Sequence, residues 1–117
     1  IDAAGSIEKA VGKIRARFGG RIKIEVEARD LGEVKKALES GADRIMLDNM
    51  SDEITAEAVR LIARGAETEA SGNMSLERIE TVSKTGVDYI SFGELTHTIK
   101  SFDFSLKNIN FMEKKVK

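Results

Sequence analysis

Cysteine, proline and tryptophan are absent from this 117-residue sequence, and histidine and tyrosine each occur once. Without cysteine the chain can form no disulfide, no thiolate zinc site and no cysteine nucleophile. A single histidine rules out a histidine-rich metal site. Aromatic residues at 5% leave a core that must be aliphatic. No run of apolar residues approaches the roughly 18 that a transmembrane helix needs, so no membrane partner is expected. An excess of one charge is lacking too. Nineteen basic residues against 20 acidic ones give a formal net charge of -1, without the basic surplus typical of nucleic-acid binders. The sequence opens Ile1-Asp2-Ala3-Ala4-Gly5, with neither an initiator methionine nor the apolar stretch of a signal peptide. It therefore reads as a processed, cut or engineered piece of something larger, and the lack of targeting signals leads us to expect a cytoplasmic origin.

What is present is enough for one domain. Hydrophobic residues make up 41% and charged residues 33%, which supports a buried core and argues against disorder. Ile7, Ala10, Val11 and Ile14 recur at helical spacing, predicting a helix from Ser6, as its cap, to Phe18, stopped by Gly19-Gly20. Ile22 to Ala28 alternates apolar and charged residues, which predicts a strand. Asp30 caps a helix through Ser40 that ends at Gly41, and Arg44 to Leu47 is a short strand. Ser51 caps a helix from Asp52 to Arg64 that ends at Gly65. Ala66 to Ala70 is a strand that propensity supports less, because Glu67, Thr68 and Glu69 fall in it. A turn at Gly72-Asn73 leads to a helix from Ser75 to Lys84, ended by Gly86. Val87 to Phe92 is a further strand, followed by a short helix around Leu95 to Ile99, a segment Phe102–Leu106 and a lysine-rich tail. The four methionines, Met46, Met50, Met74 and Met112, are expected to fill core gaps.

Alternating helices and strands imply a parallel sheet with helical crossovers. An internal repeat reinforces this reading: Glu25-Val26-Glu27-Ala28 returns as Glu67-Thr68-Glu69-Ala70, and Gly41-Ala42-Asp43 returns as Gly86-Val87-Asp88. Two copies of strand, helix, Gly-x-Asp turn and strand make four strands. The expected fold class is thus α/β, parallel βα repeats forming half of a TIM-like barrel. A flavodoxin-like open sheet is the alternative. The division is one unit over residues 1–107 and a tail over 108–117, with no internal linker.

In a parallel barrel, ligands bind at the C-terminal ends of the strands. Those ends supply Glu27, then Asp48-Asn49, then Ser71-Gly72-Asn73, then Gly93-Glu94 with His97 beyond. Polar strand ends also arise simply because they meet water. If Ile22, Ile24 and Val26 pack against helices, Glu25 and Glu27 point into the barrel, and by the same parity so do Glu67 and Glu69. Clustered carboxylates repel and lose hydration, so they need cations: Lys23, a cationic substrate or a magnesium-bound pyrophosphate. The plainer reading for Glu25 and Glu67 is a solvated, salt-bridged barrel mouth. The glycine-containing ends at Ser71–Ser75 and Phe92–Glu94 each precede a helix and leave backbone N–H groups free for an anion. They could equally be plain left-handed turns. His97, with Thr96 and Thr98 beside it, serves either as a ligand group or as a packing residue.

Five strings in order resemble one family: Ile24-Glu-Val-Glu-Ala, Ile45-Met-Leu-Asp-Asn-Met, Glu69-Ala-Ser-Gly-Asn, Gly86-Val-Asp-Tyr-Ile-Ser and Leu95-Thr-His-Thr. Together they resemble quinolinate phosphoribosyltransferase, from Ile1 to about Lys107. The resemblance implies an N-terminal sandwich domain plus an incomplete α/β barrel, assembled as a homo-oligomer. It also implies an activity in NAD biosynthesis: quinolinate and phosphoribosyl pyrophosphate give nicotinate mononucleotide, pyrophosphate and carbon dioxide. It places Glu27 and Asp48 as the catalytic acidic pair near the ribose and Mg2+. Ser71, Gly72 and Asn73, with Gly93 and His97, take the 5′-phosphate. The family's quinolinate-gripping Arg, His and Lys residues precede the stretch that matches here. The implied role is therefore the ribose-phosphate side of the site, with the missing N-terminal half as partner and no turnover by this chain alone. Two other readings remain: an excised half-barrel scaffold whose open sheet edges invite pairing, and another phosphate-binding barrel enzyme.

Overall fold

The structure, a computed structural model, describes the backbone of residues 3–92 and 97–100 and the side chains of residues 7–91. Helix α1 spans Ala3–Phe18. It begins before Ser6, which therefore lies inside the helix rather than capping it; Ala3 and Ala4 are strong helix formers and extend it. After a 3-10 turn at Gly19–Arg21, strand β1 occupies Glu25–Ala28. It is shorter than the Ile22–Ala28 expected because its neighbour β2 (Arg44–Asp48) starts with Arg44 opposite Glu25. Ile22 consequently stays 39% exposed.

Helix α2 (Leu31–Ser40) is fixed at both ends by its own sequence. The Asp30 carboxylate accepts from the Glu33 amide at 2.8 Å, and Glu33 reaches back to accept from the Arg29 amide at 2.7 Å, so one amide left free by the first turn and one just before the cap are satisfied. Gly41, at φ 89°, closes the other end in a left-handed cap. Helix α3 covers Asp52–Ile62 with Ser51 as its cap. It stops short of the Arg64 expected, because Ala63 and Arg64 themselves take positive φ, 46° and 71°. Gly65 serves packing instead: a Cβ there would lie 2.9 Å from Leu38 Cδ1. Strand β3 is Glu67–Ser71, α4 is Leu76–Ser83, β4 is Tyr89–Phe92 and β5 is His97–Lys100.

The strands run β1-β2-β3-β4-β5, the first four parallel and β5 antiparallel to β4. Spatial order equals chain order, so every crossover advances the same way round. That is the arrangement of a barrel segment, whereas a flavodoxin-like sheet reverses direction after its first strands. The short helix expected around Leu95–Ile99 is replaced by β5, which sets His97 opposite Phe92 and Ile99 opposite Ile90. Thr98 and Ile99 are β-branched and favour the extended state. Residues 93–96, Phe102–Leu106 and the lysine-rich tail lie outside the described residues.

One sheet face carries the core. Ala28, Ile45, Leu47, Ala70 and Ile90 pack on Val34 and Ala37 of α2, Ala58 and Ile62 of α3, and Ile79 and Val82 of α4. Each fully buried Ile, Leu or Val contributes about 1.5–3 kcal/mol relative to exposure. Met50 joins this core and Met74 packs against it. Met112 lies outside the described residues. The repeated Gly-x-Asp turn has a structural task in each copy. Asp43 Oδ2 accepts from the Ile24 amide at 2.8 Å, and Asp88 Oδ2 accepts from the Thr68 amide at 2.9 Å. Each aspartate thus ties the start of its own strand to the start of the strand before it.

Candidate active site on the concave face

The opposite sheet face is largely polar. Parity along β2 puts Ile45 and Leu47 in the core and leaves Arg44, Met46 and Asp48 on the concave side. In-register pairing adds Glu25 and Glu67 beside Arg44, and Glu27 and Glu69 on either side of Met46. The inward placement expected of these four glutamates holds. Their degree of burial does not match across the set: Glu25, Glu27 and Glu67 are exposed, while Glu69 is only 4% exposed.

The cation among them is Arg44, not Lys23. Its Nη2 lies 3.2 Å from Glu67 Oε1 and its Nη1 3.5 Å from Glu69 Oε1. Its guanidinium sits 4.1 Å from the centre of the Tyr89 ring, a cation–π contact within the usual range. The Ser91 hydroxyl donates to Glu69 Oε2. Burial, followed by a hydrogen bond and like charge from Glu25, pushes Glu69 up to about 8, with Arg44 pulling the other way. Arg44, Tyr89 and Ser91 were missed at the level of sequence, although the alternation applied to the first and third strands, extended to β2, places Arg44 on the same face as Asp48. Tyr89 and Ser91 follow likewise from the burial of Ile90 between them.

The C-terminal strand ends form a second, upper tier. Asp48 is half-buried and Glu27 is exposed. Asn49, with φ 59°, takes the left-handed conformation that asparagine tolerates, and its amide donates to Ser71 O at 2.8 Å. Gly72, with φ 101°, lies so close that a Cβ would meet Asn49 N, Cα and Oδ1 at 3.0 Å each. Asp48-Asn49 and Ser71-Gly72-Asn73 are therefore one contiguous rim. The Ser75 hydroxyl caps α4 by accepting from the Arg78 amide at 3.1 Å, so the Gly72 turn feeds directly into a helix N-terminus, where anions are favoured. Gly93 lies outside the described residues; His97 lies in β5 next to the end of β4 rather than one helical turn after Gly93.

Among the described residues, no group of three His, Cys, Asp or Glu side chains could hold a metal ion unaided. Glu27 and Asp48 are two carboxylates on adjacent strand ends. That donor set suits a hard cation that brings phosphate and water ligands of its own, as Mg2+ does. No helix among the described residues is long and apolar enough to cross a membrane.

The chain is similar to known proteins along nearly all of its length. Residues 1–107 match the family model for quinolinate phosphoribosyl transferase, C-terminal domain. The probable nicotinate-nucleotide pyrophosphorylase [carboxylating] of Bacillus subtilis is 41% identical over 91% of this chain and 37% of that protein. The nicotinate-nucleotide pyrophosphorylase [carboxylating] of Rattus norvegicus is 44% identical over 92% of this chain and 37% of that protein. The solved nicotinate-nucleotide pyrophosphorylase of Francisella tularensis superposes with a TM-score of 0.71 at 38% identity, over 78% of this chain and 33% of that one. A mandelate oxidase, at TM-score 0.59 and 17% identity, shares the fold alone. The chain thus spans 37% of the length of those two sequence relatives. With five motifs in register and the matching half-barrel beneath them, it belongs to the quinolinate phosphoribosyltransferase family.

Proposed function

We propose that this chain supplies the ribose-phosphate side of a carboxylating nicotinate-nucleotide pyrophosphorylase. The reaction joins quinolinate and phosphoribosyl pyrophosphate to give nicotinate mononucleotide, pyrophosphate and carbon dioxide. The observation that carries the reading is the joined rim, in which Asp48-Asn49 meets the turn at Ser71-Gly72-Asn73, with Glu27 near the end of the adjacent strand. Gly93 and His97 complete the phosphate end in this reading.

Departure of pyrophosphate leaves positive, oxocarbenium-like charge on the ribose. Glu27 and Asp48, fixed at strand ends, face that charge without having to reorganise, which is how preorganised groups lower a barrier. Backbone N–H groups of Gly72 and Asn73, at the start of the turn into α4, hold the 5′-phosphate and so orient the ribose. Mg2+, held by Glu27 and Asp48 through the pyrophosphate, would supply charge neutralisation of the leaving group. Quinolinate's carboxylates need cations, and the cation that the described side chains place on the concave face, Arg44, is already paired with Glu67 and Glu69. Quinolinate binding is accordingly assigned to the remaining part of the enzyme, and the working assembly to a homo-oligomer. A cytoplasmic location is the default part of this reading; one relative from Nicotiana tabacum is named mitochondrial.

The test is turnover. The chain alone is expected to form no nicotinate mononucleotide. Fused behind the preceding part of the Bacillus subtilis relative, it is expected to be active. Asp48→Asn in that fusion should lower kcat by about 10²–10³-fold, the scale of losing one preorganised electrostatic group. An active fusion indifferent to Asp48→Asn would refute the assignment.

A further inference from the structure

We propose that Arg78 is a positioning residue that locks the two strand-end loops of the rim into one unit, so that an anion seated at Ser71–Asn73 orders the loop carrying Asp48. The inference rests on the site reading above and adds a residue that the motifs did not single out.

Arg78 lies in the first turn of α4 and acts in two directions. Its amide donates to the Ser75 hydroxyl, closing the helix that follows the Gly72 turn. Its side chain leaves the helix for the other loop: Nη2 donates to Met50 O at 2.6 Å and Nε to Asp52 Oδ1 at 3.0 Å. Met50 lies between β2 and α3, so its carbonyl stands outside any ladder and its hydrogen bond comes from Arg78. Asp52 is the first residue of α3. The Thr81 hydroxyl and then Arg78 hold its carboxyl below the ordinary range despite partial burial.

The segment Asn49–Asp52 is therefore gripped from both sides. Asn49 donates its amide to Ser71 O and leaves no room for a side chain at Gly72, while Arg78 holds Met50 and Asp52. Asp48 is the residue immediately before this clamp. An anion drawn to the turn into α4 pulls on the same helix start that anchors Arg78, which makes the phosphate and carboxylate loops move together. A fork-shaped guanidinium can serve the carbonyl and the carboxylate at once; a lysine ammonium, as a point charge, cannot hold both in this geometry.

Ribose 5-phosphate titrated into the ¹⁵N-labelled chain tests this directly. In the unaltered protein, amide signals of Gly72 and Asn73 and those of Asn49 and Met50 should shift together. In Arg78→Ala the Gly72 and Asn73 shifts should persist, while those of Asn49 and Met50 fall at least threefold and affinity weakens by about tenfold, a typical coupling between sites. Arg78→Lys, which keeps charge beside Asp52, should show the same selective loss and decides the matter if the alanine variant does not fold. Undiminished shifts at Asn49 and Met50 in a folded variant would overturn the role of Arg78 and leave the site intact. Absence of any response at Gly72 and Asn73 in the unaltered chain would overturn the site reading and the proposal with it.

Discussion

At the scale of single residues, positions with unusual backbone or burial carry the sharpest consequences. Gly41 and Gly72 both have positive φ, but only Gly72 is crowded, with Asn49 atoms at 3.0 Å from a Cβ against none within 4 Å at Gly41. Gly41→Ala should therefore cost about 1–2 kcal/mol, the left-handed penalty alone. Gly72→Ala should cost about 2–4 kcal/mol, because overpacking is added. Urea denaturation of the two variants checks the ordering. Glu69 gives a pH signature. Its carboxyl titrates near its ordinary 4.5 in the unfolded chain but is raised to about 8 in the fold. The folded state thus holds a proton that the unfolded state releases, and the contribution is fully present below pH 4.5 and lost as pH rises through 8. Stability should fall across that window by at most about 1.4 kcal/mol per pH unit. Glu69→Gln, which cannot ionise, should flatten the profile, as read from denaturation midpoints at successive pH values.

At the scale of elements, the two βα repeats are built on one device, an aspartate that opens a strand and holds the amide of the previous one. Asp43→Ala and Asp88→Ala should each cost about 1–3 kcal/mol, the worth of a hydrogen bond to a charged group and of leaving the amide unpaired. Hydrogen exchange should rise at the Ile24 amide in the first variant and at the Thr68 amide in the second, each without the other. The repeat was legible in the sequence as Gly-x-Asp at matched positions, but its purpose was not, since the amide that donates to each aspartate lies about 20 residues away. Caps at Asp30, Ser51 and Ser75 were readable because capping is local chemistry. The end of α3 was misplaced because Ala63 and Arg64, not Gly65, take the left-handed turn. The segment after β4 was misread as a helix because its strand state depends on pairing with Ile90 and Ser91, a tertiary choice that overrides local pattern.

At the scale of the whole molecule, the described residues form a sheet of four parallel strands and an antiparallel fifth, with an aliphatic outer face and a largely ionic inner one. Strand parity alone separated those faces. Taking the C-terminal strand ends in order named Asp48-Asn49 and Ser71-Gly72-Asn73, which the structure brings into contact. The inner network of Arg44, Glu67, Glu69, Tyr89 and Ser91 was not legible, because choosing Arg44 over Lys23 as the cation depends on which side chains share a register. The central claim is that the rim binds the phosphoribosyl group. The most direct measurement is a calorimetric titration of the chain with nicotinate mononucleotide and Mg2+, beside the same titration of Asp48→Ala and Gly72→Ala variants shown to be folded. The account predicts saturable binding that weakens at least tenfold in both variants. A folded chain that shows no saturable binding, or binding that neither substitution alters, would contradict it.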